Sequence, residues 1–356
     1  MAYDLSSRGY AVMLYEHPDF IKNIEGIIEL GGIEAVETVP GEVNSPKCAL
    51  SGFAEVTATA DVRTAVEHAD ILFMIMPSFG QEIVFKLVMP YLRDGQLLCL
   101  LPGNCGSLVF RRMMREAGVR ANVVFAETNT IPYACRTIEP GRVFVLAVKQ
   151  GMGIGALPGS ESDRVAEDLE PILNLKLFPH KNVAQIALNN PNMVVHPATS
   201  VLNMGVFESR KGSFYFYREG MSESVCKVLQ EIDNERMNIT EGLGLGRESF
   251  FQHTKQYYDF DFKTIREFAE FSPIHSSFGY DAPTSPRDRY ISEDCPFLLV
   301  PVFEFGKLLG IRTPVTESII TIASIYNDTH YFQTGRTLAK LGLEGMNKEQ
   351  ILEYLD

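Results

Sequence analysis

At 356 residues the chain exceeds one ordinary core, and ~100–200 residues per domain predicts two domains. Its 46% hydrophobic and 22% charged content fits a globular protein, and no apolar run reaches the ~20 residues of a membrane span. A net charge of −13 argues against sequence-independent nucleic-acid binding, which takes a basic face, and requires that any anionic substrate be caught by locally placed Arg or Lys.

The six cysteines (Cys48, Cys99, Cys105, Cys135, Cys226, Cys295) are scattered and form no C-x-x-C pair. That disfavours a structural zinc site and favours a reduced, cytoplasmic setting. The first residues show no basic segment followed by an apolar one, as a secretory signal would.

Residues 1–9 read as the tail of a helix stopped at Arg8-Gly9, and Tyr10–Tyr15 as a buried strand ending at Glu16. A short helix over 18–24 and a Gly-rich, irregular stretch over 26–53 with room for a hairpin come next. Glu55–Ala60 alternates as a strand, and Asp61 is placed to cap a helix over 62–68. Ala69–Met76 (ADILFMIM) is the strongest strand signal, of the kind buried on both faces in a parallel sheet. Pro77-Ser78-Phe79-Gly80 opens a helix to about Leu92; Gln96–Leu101 is a strand; Pro102-Gly103-Asn104 leads into a helix to about Ala117. Asn122–Ala126 and Val143–Lys149 complete the strand set.

Strand and helix alternating at ~25–30-residue intervals imply parallel strands with right-handed crossovers, the doubly wound nucleotide-binding pattern. Ligands in such sheets sit at the carboxyl ends of the strands. Glu16, Pro77, Ser78, Gly103 and Asn104 lie at such ends and are the cofactor-binding candidates, although Gly and Pro in turns also occur with no ligand. Glu127-Thr128-Asn129 lies at another. The G-x-G-x-x-G fingerprint should precede the acidic residue by ~20 positions, which from Glu16 falls before Met1. The reading is that about fifteen to twenty residues lie upstream and that Met1 is an internal methionine. Gly151-Met152-Gly153-Ile154-Gly155 runs into Ala156-Leu157-Pro158 rather than a helix and does not replace the fingerprint.

Gly151–Ser160 reads as the boundary zone, dividing a dinucleotide-binding domain over 1–160 from a helical domain over 161–356. Ser162 is placed to cap a helix over 163–174, and 222–241 is a helix by the spacing of Val225, Val228, Leu229, Ile232 and Ile239. The aromatic clusters at Phe214–Tyr217 and over 250–262 read as packing. Leu298–Leu309 and Val315–Tyr326 are buried helices, Pro314 suiting the first turn of the second, and Asn347 with Gln350 forms a capping box before 348–355.

The chemistry concentrates in Asn189–Gly205 (NNPNMVVHPATSVLNMG), where His196 is the single titratable group beside Pro197 at the expected start of a long helix. A lone histidine there is also what a satisfied, partly buried structural residue looks like. A second constellation, PTSPRDRYISEDCPFLLVP over 283–301, sets Arg287 and Arg289 beside Glu293 and Asp294. The acids alone would suit a helix N-terminus. Two arginines in a Pro-rich loop are what a site needs to hold a carboxylate bidentately, and a carboxylate behind a histidine fixes its tautomer. No spacing shows a metal site.

The chain resembles the octopine/nopaline (opine) dehydrogenase family through Glu127–Arg136 (ETNTIPYACR), His196-Pro197 in its stretch, Arg289-Tyr290 followed by Glu293-Asp294, Leu299-Val300-Pro301, and Gly306–Gly310. The resemblance implies a Rossmann-like α/β domain joined to an all-α domain, with NAD as cofactor and NADP also admitted. It implies reductive condensation of an amino acid with a 2-oxo acid such as pyruvate. It assigns His196 as the catalytic histidine, Asp294 as its partner, and Arg289 as the substrate-carboxylate residue, with Asn190 and Thr128 as further substrate-binding candidates. Glu16 favours NAD, because a carboxylate accepts a ribose 2′-hydroxyl and repels a 2′-phosphate. The loops over 210–220 and 250–280 are expected to shape the amino-acid pocket. A homodimer is left open, and no nucleic-acid or membrane partner is implied. The alternatives are a two-domain hydroxy-acid dehydrogenase that needs no amine, and a dinucleotide-binding protein without turnover.

Overall fold

The computed structural model describes residues 1–39, 47–275 and 282–356. Helix α1 (Ala2–Ser7) gives way at Gly9, whose φ of 90° is open to glycine, and strand β1 (Met13–Tyr15) follows. The next helix, α2 (Lys22–Leu30), runs further than its sequence suggests, because Ile24 and Ile27 turn one face inward before Gly31 stops it. β2 (Gly32–Ala35) and β3 (Gly52–Glu55) pair antiparallel; residues 40–46 of the Gly-rich stretch lie outside the described residues. β4 (Thr57–Thr59) runs parallel to β1, and Asp61 accepts from the Arg63 amide at the head of α3 (Val62–His68), as its position predicts.

β5 (Ile71–Met74), α4 (Ser78–Val88), β6 (Leu97–Leu100), α5 (Gly106–Ala117) and β7 (Val124–Thr128) keep the predicted alternation. The three strands are parallel neighbours, with Ile71 beside Leu97 and Leu97 beside Val124. β8 (Tyr133–Glu139) and β9 (Arg142–Val148) form an antiparallel pair whose second strand joins β2 in a separate sheet.

The stretch expected to be the boundary zone is instead strand β10 (Gly151–Leu157), buried along its whole length. It adds an antiparallel neighbour to β7 beside the expected parallel strands, and lies parallel to β11 (Lys176–Pro179), which follows α6 (Ser162–Leu173). The sheet-bearing half therefore continues past residue 160 to Pro179. Its glycines are there for close approach. A Cβ on Gly155 would stand 2.5 Å from the Asn182 carbonyl oxygen, and one on Gly153 2.7 Å from Ile186 Cδ1, so α7 (Val183–Leu188) could not lie against the strand. Ser162 does not cap α6; its hydroxyl accepts from the Ala156 amide at 2.9 Å and ties helix to strand.

The main sheet has the order β11-β10-β7-β6-β5. β5, expected to be buried on both faces, is its edge, and of its four residues only Met74 is buried. Among the described residues β1 pairs with β4 alone. A cavity of about 820 Å³ separates the free edges of β1 and β5, walled by residues 13–16 and 71–76. A doubly wound sheet carries a strand in that position, and none of the described residues fills it.

The second half is helical: α8 (Asn192–Ser209), α9 (Glu223–Gly242), α10 (Phe250–Tyr258), α11 (Ile265–Phe271), α12 (Arg289–Ser292), α13 (Val300–Leu309), α14 (Pro314–Tyr326), α15 (Tyr331–Thr334) and α16 (Lys348–Leu355). α8 is central, packed on α9, α12 and α14. One apolar core runs from Phe85 and Phe110 on the sheet helices through Val194 and Phe207 to Leu299. The Asn347–Gln350 capping box starts α16 as the sequence predicts. Among the described residues no helix is long and apolar enough to cross a membrane.

Candidate active site

The start of α8 is fixed from below by a fully buried arginine. Arg236 donates to the Leu188 carbonyl at 3.1 Å, to Asn189 Oδ1 at 2.5 Å, to the Glu248 carbonyl at 2.6 Å and to Asp233 Oδ1. Its charge is matched by Asp233, which is equally buried, so the cation has both a counter-ion and partners for its donors. Asn190 Oδ1 then accepts from the Asn192 amide at 3.0 Å and turns the chain into the helix.

One turn on, His196 is 5% exposed and its Nδ1 lies 2.8 Å from Asp294 Oδ2. Asp288 caps α12 by accepting from the Tyr290 amide, which aims two residues at the histidine. Tyr290 stacks on the imidazole at 4.0 Å between ring centroids, and Asp294 follows directly after the helix. The other ring nitrogen, Nε2, faces the Tyr217 hydroxyl at 3.4 Å. Burial pushes the Asp294 carboxyl up to about 8, with the Arg289 charge opposing. Burial first and Arg289 second push the His196 imidazole down. A dry environment disfavours charge on either group, so the two hold one transferable proton between them through neutral pH.

Arg289 is exposed at the head of α12 and close enough to act on both members of the pair. Among the described residues it forms no ion pair; its guanidinium lies 5.8 Å from the Tyr290 ring. A cation left uncompensated beside a proton-transfer pair is suited to a substrate carboxylate. His196 is thus brought, across nearly a hundred residues, to the segment that holds Arg289 and Asp294. Arg287 is also exposed, at the preceding turn.

The strand-end candidates form the wall behind this pair, and most are already engaged. The Ser78 amide donates to Glu293 Oε1 at 2.8 Å, Asn104 Nδ2 to Ser78 Oγ at 2.9 Å, and Asn190 Nδ2 to Asn104 Oδ1 at 2.8 Å. This buried thread crosses from the sheet half to the helical half. Asn190 thereby has both ends of its amide occupied, which makes it a bridge between the halves. Thr128 is fully buried, its hydroxyl donating to the Thr130 carbonyl at 2.6 Å, so it shapes the 128–130 turn. Gly103 leaves no room for a side chain, since a Cβ would meet the Glu127 carboxyl at 2.2 Å. The carbonyls of Gly103 and Asn104 are both taken by the buried Arg336, which also reaches Gln81 Oε1 at 2.6 Å.

Glu127 explains why the turn after β6 offers no anion site. It accepts from the Cys105 and Ser107 amides at 2.8 Å and from the Ser107 hydroxyl, so a carboxylate of the chain already occupies the N-terminus of α5. Burial pushes this carboxyl up despite these donors. Pro77 is exposed at the end of β5, and Glu16 stands at the end of β1 on the edge of the large cavity. Glu16 accepts from the His17 amide at 2.8 Å and from Asn23 at 3.0 Å, and no cation pairs with it among the described residues. It is therefore suited to ribose hydroxyls. No described strand end presents a glycine-rich phosphate turn, and no described group of three His, Cys, Asp or Glu could hold a metal ion.

A second cavity, of about 90 Å³, is separated from His196 by the Tyr217 side chain. Tyr217, Phe250, Tyr257, Tyr258, Phe268 and His275 line it with Thr130 and Lys149. Both aromatic clusters that read as packing thus contribute to its wall, and Tyr217 joins it to His196. The expected 250–280 pocket loop is described only to 275. A run of aromatics carries no mark of facing a cavity, so the residues themselves read as packing, and only the family resemblance pointed to the 210–220 and 250–280 loops as pocket-forming.

The model of the family "NAD/NADP octopine/nopaline dehydrogenase, alpha-helical domain" matches residues 179–327. The chain is 32% identical to the opine dehydrogenase of Arthrobacter sp. (strain 1C) over 81% of its own length and 79% of the relative's. It is 30% identical to the vitopine synthase of Allorhizobium ampelinum, covering 83% and 81%. A solved octopine dehydrogenase with NADH and L-arginine superposes with a TM-score of 0.74 at 20% identity, covering 99% of this chain and 94% of that one, a likeness of fold.

Proposed function

The chain belongs to the octopine/nopaline (opine) dehydrogenase family, and from that premise we propose that His196, Asp294 and Arg289 carry the reductive condensation of an amino acid with a 2-oxo acid such as pyruvate. The observation that carries this reading is the dry His196–Asp294 contact of 2.8 Å beside an arginine with no ion-pair partner among the described residues. Arg289 holds the carboxylate of the 2-oxo acid. The neutral amine adds to the carbonyl carbon and gives up one of its protons to the carbonyl oxygen, which departs as water once a second proton reaches it and leaves a protonated C=N bond. His196 delivers the proton that this loss requires, while Asp294 holds the ring and stabilises its charged form. A bound nicotinamide dinucleotide supplies the hydride that reduces the resulting C=N bond.

The sheet half through Pro179 would hold the cofactor, where Glu16 could accept from the ribose hydroxyls and Pro77–Ser78 stand at the adjoining strand end. Glu16 favours NADH over NADPH by charge. The buried Tyr217 and the half-buried Tyr290 around His196 keep bulk water from the proton-transfer pair.

The deciding assay follows NADH and NADPH oxidation with pyruvate and other 2-oxo acids, alone and with a panel of amino acids. Oxidation is expected only when both substrates are present, and faster with NADH. Full activity with the 2-oxo acid alone would replace this reading with a hydroxy-acid dehydrogenase. In the same assay Arg289→Ala is expected to raise the KM for the 2-oxo acid by on the order of 10- to 100-fold, the value of a charged hydrogen bond, and to move the amino-acid KM little. A change confined to the amino-acid KM would reassign the residue.

A further inference from the structure

Lys149, just past β9, is an unusual cation. It is 9% exposed, and among the described residues no carboxylate pairs with it. Its ammonium donates to Thr130 Oγ1 at 3.0 Å and to the Ile131 carbonyl at 2.7 Å, both neutral acceptors. An ammonium has three donors, so one is left over. The rings of Tyr257 and Tyr258 lie 5.3 and 5.7 Å from the nitrogen and supply a weak, diffuse attraction in place of an anion. A buried charge without a counter-ion is costly, and folded chains retain one where something else completes it.

The position of this charge says what completes it. Lys149 and Thr130 line the 90 Å³ cavity, and so does Tyr217, whose hydroxyl faces His196 Nε2. The cavity is thus one side chain from the reactive nitrogen. The product of the reaction carries two carboxylates, and Arg289 accounts for one. Resting on the dehydrogenase reading, we propose that Lys149 receives a carboxylate of the amino-acid substrate in this aromatic cavity and so sets which amines the enzyme accepts. The aromatic wall excludes water and strengthens that ion pair, while the turn at Thr130–Ile131 holds the ammonium in place. Burial brings the Lys149 pKa down to about 7, as expected of an ammonium awaiting its anion.

The test is steady-state kinetics of Lys149→Met and Lys149→Arg with pyruvate, using L-methionine and L-arginine, each beside its decarboxylated amine, and L-glutamate. In Lys149→Met the amino-acid KM is expected to rise on the order of 30-fold while the KM for pyruvate and for the amines stays put; Lys149→Arg recovers part of the loss. A rise for all three amino acids identifies the α-carboxylate, and a rise for L-glutamate alone identifies a side-chain carboxylate. Either outcome supports the assignment. Unchanged amino-acid KM values, or equal rises for amino acids and amines, would overturn it and make Lys149 a strut for the turn. Partial unfolding lowers kcat without separating these KM values. Failure of Lys149 alone leaves amino-acid-dependent turnover in the wild type, whereas its absence there defeats the dehydrogenase reading itself.

Discussion

His196→Ala lowers kcat by about 10²- to 10⁴-fold while the Kd for NADH stays within about twofold of wild type. The loss is large because, among the described residues, the imidazole is the single ring bonded to Asp294, and water is a poor substitute in a dry site. Cofactor affinity is expected to be spared because His196 is not among the residues that line the large cavity at Glu16. The pH profile carries the same signature. The pair acts as an acid while it holds its proton, and burial sets the Asp294 carboxyl at about 8. The reductive rate is therefore full below that value and falls as pH rises through it. Asp294→Asn removes this limb and lowers the rate at every pH. Rapid-mixing kinetics and a fluorescence titration of NADH separate the two effects; wild-type turnover in His196→Ala would end the acid–base assignment.

Arg336→Met destabilises the protein by about 3 kcal/mol, read as a lower midpoint in urea unfolding. Arg336 is fully buried, and its guanidinium serves the carbonyls of Gly103 and Asn104 and the amide oxygen of Gln81. Methionine fills much of the volume and relieves the buried charge, but it leaves the Asn104 carbonyl and Gln81 Oε1 without donors and the Gly103 carbonyl with the Gly106 amide alone. Those losses exceed the relief, because Arg336 also lies over Phe297 at 4.9 Å and already has its desolvation spread over several partners. Arg336→Lys keeps the charge, reaches fewer acceptors, and falls between the two. A variant as stable as wild type would show that the 103–104 turn holds itself.

Local pattern was enough to find much of this fold. The apolar runs at Ile71–Met74 and Leu97–Leu100, the Asp61 cap and the Asn347–Gln350 box need nothing beyond their neighbours in sequence. His196, Arg289 and Asp294 were recognisable as residue types and by family resemblance, and the structure supplies the contact of His196 with Asp294. What failed did so where the reason is tertiary. Gly151–Leu157 looks like a linker because its glycines are meant for α7, which presses on them. Ser162 looks like a cap, yet its hydroxyl is spent on Ala156. Asn190 and Thr128 look like free polar groups, yet their hydrogen bonds are consumed by Asn104 and Thr130. Lys149 carried no signal, since a lysine after a strand is ordinarily solvated.

The thread from Glu293 through Ser78 and Asn104 to Asn190 bears on how such proteins can be recombined. Each step is a buried polar contact between segments distant in the chain, so each half is incomplete at the same surface. Grafting the helical half onto another nucleotide-binding half would strand an amide or a carboxylate at the seam unless Ser78 and Asn104 travelled with it. Chimeras joined near Pro179 should therefore inherit function only when both sides of that seam come from one parent, and substrate range is more readily exchanged by residues around the small aromatic cavity than by trading whole domains.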